Sequence, residues 1–254
     1  MLHVFRGTTF AKTMSVSLLT SFLTVSCSKD QLATVTPAVQ AAANAYTGEQ
    51  LFKGIFLLDG DVTAKIPYLQ AFRSAVDKQK VANPEQAQQR QAQVDVLVSK
   101  VQKLNPAYFG ELKAAIKSQD FDRIEAALKS GASLIEAASL ASFTNQQDKD
   151  AFLQKQQAVK ALDTSKYDFT KAQDVDKFIA EAKAASKDAA PNSRQAPDAL
   201  DVVNVTDVAL FLYFAASVAV VVVLVIVAAK GPDVDSATQL EKEQFIQQLA
   251  FNLN

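Results

Sequence analysis

The chain has 254 residues, 26 Lys and Arg against 27 Asp and Glu, and a formal net charge of −1. Balanced charge gives no basic field for nucleic acid or for an anionic membrane surface. The only cysteine is Cys27, which excludes an intrachain disulfide, and scarce glycine and proline (7 each) suit a mainly α fold.

Arg6 and Lys12 form a basic start, and residues 14–25 an apolar stretch too short to cross a bilayer. Thr24-Val25-Ser26-Cys27 then resembles a bacterial lipobox, although Thr24 stands where Leu is usual and Leu23 lies one place further back. The expectation is a lipoprotein signal over residues 1–26, cut before an acylated Cys27 carrying palmitate-type chains. Two or more such chains anchor a protein stably where one does not.

After that cut the chain keeps no histidine and no free thiol, because His3 and Cys27 are the only residues of their types. Ser-His-Asp and Cys-His catalysis lose their parts. Nearly every zinc site loses its ligands, so no metal and no cofactor is expected. Hydrolysis by paired carboxylates survives on chemistry alone, yet no pair stands out among the acids. No enzymatic activity is expected.

Residues 27–46, rich in Ala and Thr from Gln31 on, read as a tether, and residues 47–188 as a helical domain. Thr47 and Gln50 form a capping box, after which Leu51, Phe52, Ile55 and Phe56 share one face. Asp59-Gly60 reads as the stop. A second helix follows Pro67 with Leu69, Phe72 and Val76 inside. Asn83-Pro84 starts a third, with a stripe of Val94, Leu97, Val98, Val101 and Leu104 and a solvated Gln-rich face over residues 86–93.

Asn105-Pro106 repeats that start signal. Asp120 opens a segment with Phe121, Ile124 and Leu128 inside and Gly131 as its stop. A second box then runs from Ser133 to Glu136. Residues 148–162 and 170–187 complete the set, the latter opened by a Thr170–Gln173 box. The product is a helical bundle with short connections, and no repeat period marks a solenoid. Its aromatic residues fall at core spacing and read as packing.

Residues 189–207 have linker composition. Residues 208–229 then run uncharged to Lys230, with polar side-chain atoms only on Tyr213 and Ser217. As a helix the stretch is about 33 Å long, matching a hydrocarbon core of roughly 30 Å. It reads as a membrane-active segment carried by Val208, Leu210, Phe211, Leu212, Phe214, Val220, Val223, Leu224 and Ile226. Such a run favours strand and aggregation in water but must be helical in lipid.

Within residues 230–254, Gly231-Pro232 breaks the pattern. Ser236 and Gln239 form a fourth box. A terminal amphipathic helix follows with Leu240, Phe245, Ile246, Leu249 and Leu253 near one face. Two seats suit it, the bundle or a membrane surface. Mixed charge at Glu241, Lys242 and Glu243 speaks against strong attraction to anionic lipid.

The run from Tyr46 to Gly60, with Thr47, Gly48, Glu49, Phe52, Gly54, Phe56 and Gly60, resembles the sporulation-delaying protein family of antimicrobial peptide toxins. Residues 62–69, with Lys65-Ile66-Pro67, continue the match. Elsewhere the likeness is one of layout: signal, motif, helical middle, apolar C-terminal stretch. It implies that residues 208–229 are excised as a peptide that enters a competitor's or sibling's membrane and collapses its proton-motive force. Cuts would fall before Asp201 and near Gly231, and the helical middle would be a pro-region.

The implied partners are the target bilayer, a processing protease and an immunity protein, with no nucleic acid. The implied location is the cell envelope, lipid-anchored at the outer membrane or cell surface, with release of the C-terminal peptide. The founding peptide's two cysteines have no counterpart after Cys27, so a disulfide loop is excluded. Under this resemblance Glu49 and Asp59 are cap and turn residues. The residues alone also fit a non-toxic envelope lipoprotein whose C-terminal segment anchors it or binds a partner helix. A glycan-cleaving enzyme with two carboxylates is the third and weakest reading.

Overall fold

The computed structural model describes residues 46–82, 84–189 and 236–253. Among them the fold is mainly α, as expected. The helices are α1 (Gly48–Leu57), α2 (Gln70–Ala82), α3 (Pro84–Leu104), α4 (Tyr108–Ser118), α5 (Phe121–Leu140), α6 (Gln146–Lys160), α7 (Ala172–Ala189) and α8 (Ser236–Asn252). Short 3-10 turns at Thr63–Lys65, Pro67–Leu69 and Thr164–Lys166 join some of them.

α1 is the hub: it packs against α3, α4 and α5, while α2 and α6 pack on α7. Its burial follows from composition, since Leu51, Phe52, Ile55, Phe56 and Leu57 are all buried. Phe52 gathers an aromatic cluster, with ring centroids 5.1 Å from Phe56, 6.0 Å from Tyr108 in an edge arrangement and 5.3 Å from Phe109. A second cluster ties α2 to α7: Phe169 lies 5.5 Å from Phe72 and 5.3 Å from Phe178. Aromatic contacts in these geometries add about 0.5–1.5 kcal/mol each beyond area burial. The expectation that the aromatics pack is met at these positions.

Several sequence expectations shift. Gly131 does not stop a helix, and Ser133 and Glu136 do not cap one, because α5 runs unbroken to Leu140. Gly131 is there for space. A Cβ at this position would strike the Tyr108 hydroxyl and come within 2.5 Å of Phe56 Cζ. Asn105 does not cap α4: its Oδ1 accepts from the Ala107 N–H at 3.0 Å, forming a turn that delays the helix to Tyr108.

Leu104 and Phe121 are exposed rather than inside, both lying at helix ends where the stripe leaves the core. Within the Gln-rich stretch of α3, Arg90 and Gln93 are buried, so that face is not uniformly solvated. Thr170 gives its hydroxyl to Asp168 Oδ1 at 2.5 Å, the bond that organises the turn before α7.

Candidate functional site: the family-like motif and the mounting of α8

Cys27 and residues 208–229, with Val208, Leu210, Phe211, Leu212, Phe214, Val220, Val223, Leu224 and Ile226, lie outside the described residues. The motif residues are described, and so are the helices on either side of the apolar stretch.

The motif begins as its sequence requires. The Thr47 hydroxyl accepts the Gln50 N–H at 3.1 Å, and Gln50 Oε1 accepts the Thr47 N–H at 2.7 Å, closing the capping box. Glu49 pairs with Lys53 at 2.8 Å in the first turn, where a carboxylate also suits the helix dipole. Gly48 is held against the Phe109 backbone carbonyl of α4, and a Cβ would overlap that oxygen. Gly54 is pressed in the same way onto the Val62 side chain. Both glycines let neighbouring backbone come closer than any other residue permits.

The helix stop differs in detail from expectation. α1 ends at Leu57, and Leu58, not glycine, takes the left-handed conformation with φ 53°. That geometry costs a non-glycine residue roughly 1–2 kcal/mol. Burial of the Leu58 side chain, of order 1.5–3 kcal/mol, offsets it. Gly60 follows with φ 83° and turns the chain back toward Val62.

The carbonyls left over at this end find partners far along the chain. Thr63 Oγ1 donates to Gly54 O at 2.9 Å inside the core. Arg90 donates from Nη2 to Leu57 O at 2.5 Å, setting a cation on the negative end of α1. Burial pulls the Arg90 pKa down, against the nearby charges of Asp59 and Asp77. Pro67 sits at the start of the second 3-10 turn, where its missing N–H costs nothing. The motif thus forms the packing hub, and its glycines, Thr47 and Thr63 serve backbone approach and capping.

α8 takes the first of its two seats and docks on α4, α5 and the Pro67–Leu69 turn. Phe245, Ile246, Leu249, Ala250 and Leu253 are buried, while Leu240 is exposed, contrary to expectation. Each large apolar side chain so buried contributes about 1.5–3 kcal/mol. The side chains of the Ser236–Gln239 box lie outside the description. The Phe245 ring packs 5.5 Å from Tyr68.

Polar contacts fix the register of α8. Gln248 Oε1 accepts the Tyr68 N–H at 2.8 Å, Gln119 Nε2 donates to Ala250 O at 3.3 Å, and Asn252 Nδ2 donates to Lys65 O at 3.0 Å. Lys242, 5% exposed in its side chain, pairs with Glu125 at 2.7 Å, and Lys129 reaches the other oxygen of that carboxylate at 2.6 Å. Burial alone raises the Glu125 pKa, but the two ammonium groups more than reverse this and hold it below its ordinary value. Tyr68 donates to Glu241 at 3.4 Å, and burial with that carboxylate pushes its phenol pKa up.

The partners of α8 had no signal in the sequence. Glu125, Gln119, Lys65 and Tyr68 lie on segments read for their own helices, and no spacing rule links residue 125 to residue 242. α7 and α8 belong to one compact unit. Among the described residues no group of three His, Cys, Asp or Glu is placed to hold a metal ion. Among them, too, no helix is long and apolar enough to cross a membrane.

Comparison with known proteins adds the family. The model of the sporulation delaying protein family toxin matches residues 43–254, spanning the motif, the bundle, the apolar stretch and α8. No similar curated protein and no similar solved structure was found. With the match covering most of the chain, the protein belongs to the sporulation delaying protein family of toxins.

Proposed function

We propose that the chain is the precursor of a membrane-inserting antimicrobial peptide whose active part is residues 208–229. The observation that carries this reading is the family match over residues 43–254, which joins the bundle and the apolar stretch in one toxin architecture. The docking of α8 supports it. A simple C-terminal anchor has no need for a helix beyond it that returns to the body, whereas a segment carried between two docked helices is held as cargo.

In this reading the bundle is a pro-region. An acylated Cys27 keeps the precursor at the cell envelope, and the lipid makes a second anchor redundant. A processing protease frees the segment, the target bilayer receives it and depolarises, and an immunity protein spares the producer. No catalysis by the chain itself is needed.

Mass spectrometry of culture medium and envelope fractions tests the proposal. A C-terminal fragment containing residues 208–229 should accumulate outside the producing cell. Intact chain in the envelope with no such fragment would contradict it.

A further inference from the structure

The body that α8 sits on is built from residues 46–189, and α8 adds no backbone ladder to it. Its contacts close on a groove formed by α4, α5 and the Pro67–Leu69 turn, mostly through side chains. Phe245 and Leu249 are fully enclosed there, and the Lys242–Glu125 pair is shielded beside them. The hydrogen bonds from Tyr68 N–H to Gln248 and from Asn252 to the Lys65 carbonyl set the helix in one register. An apolar face with a buried charge pair at its flank is the composition of a helix-in-groove complex between separate chains.

We infer that α8 is held on the body by these contacts alone and remains there when the chain joining it to α7 is cut. The occupant of the groove on α4 and α5 is thus a segment of this chain acting as a bound peptide. One consequence rests on the proposed function. A single cut in residues 189–207 leaves the apolar segment attached to the body through α8. Release then needs a cut on each side of the segment, in either order.

The test uses the full chain in mild detergent, with site-specific protease sequences inserted within residues 191–197 and within residues 231–235. After both cuts, the α8 peptide should co-elute with the body on gel filtration at micromolar concentration and leave it in denaturant. A peptide that elutes apart from the body under native conditions overturns the inference. Leu249→Ala should weaken retention by roughly 30-fold or more, and Phe245→Ala by at least as much. Retention unchanged by both substitutions would also overturn it, since the groove contacts would not be what holds the helix. The result is separable from the toxin reading. A freed fragment of residues 208–229 that leaves membrane potential intact would end that reading and leave the retention of α8 standing.

Discussion

Lys242 of α8 places its ammonium 2.7 Å from Glu125 Oε2 of α5, joining residues 117 positions apart in the chain. Lys129 holds the same carboxylate at 2.6 Å, so one acid answers two bases. The sign of the pH dependence follows. The folded-state pKa of Glu125 lies below its ordinary 4.5. Its contribution to stability is therefore fully present above about that pH and is lost as pH falls through the folded value. Urea titrations from pH 7 down to pH 3 should show a decline below pH 4.5 that Glu125→Gln reduces. At pH 7 the same substitution should cost about 1–3 kcal/mol, because it leaves the Lys242 charge enclosed without its counter-ion. A variant as stable as the parent at pH 7 would contradict the role given to the pair.

Gly131 and Gly48 predict an inverted helix-propensity effect. Alanine normally gains about 1 kcal/mol over glycine within a helix. At Gly131 the added methyl meets the Tyr108 hydroxyl and the Phe56 ring, and at Gly48 it meets the Phe109 carbonyl oxygen. Overpacking of this kind costs about 1–3 kcal/mol. Gly131→Ala and Gly48→Ala should both lower the midpoint of chemical unfolding. Gly48→Ala should cost more, since backbone yields less than the end of a tyrosine. Gly110, where a Cβ meets nothing within 4 Å, is the control, and Gly110→Ala should be neutral or stabilising.

Thr63 tests the capping role of the motif. Replacing it with valine keeps the shape but removes the donor to Gly54 O. The buried carbonyl then loses its partner, at about 1–3 kcal/mol. Thr47→Ala should cost about 1 kcal/mol through loss of the N-terminal cap. Unfolding curves that barely move for both would contradict the capping role given to these two threonines.

These cases mark what the sequence made legible. Some local signals read well, although the start signals at Asn105 and Ser133 did not cap a helix. The Thr47–Gln50 box, the Asp120 cap and the apolar face of α1 each depend on residues within one or two turns, and each was expected where it is found. Gly131 misled because glycine means both a helix stop and a tight crossing, and only the positions of Tyr108 and Phe56 decide between them. Arg90 was hidden in a Gln-rich stretch because its reason for burial, the Leu57 carbonyl, is 33 residues away. The seat of α8 was open for the same reason: its mixed charge is answered by Glu125, which only the folded body brings near. Residues 208–229 lie outside the described residues, and their reading rests on length and lack of charge.

An arginine at Val221, near the middle of that stretch, separates the segment from the body that carries it. A charge at the centre of a membrane helix costs roughly 2.5–3.5 kcal/mol of insertion on translocon scales. Val221→Arg should abolish killing by the producing strain while leaving the thermal unfolding of the bundle unchanged. Continued killing by this variant would contradict the assignment of residues 208–229 as the active part.

Residues 208–229, as proposed, should act alone on a bilayer. A synthetic peptide of that sequence, added to bacteria loaded with a potential-sensitive dye, tests it most directly. Rapid loss of membrane potential is expected at concentrations where the peptide partitions into lipid. Membrane potential left intact at those concentrations would contradict it.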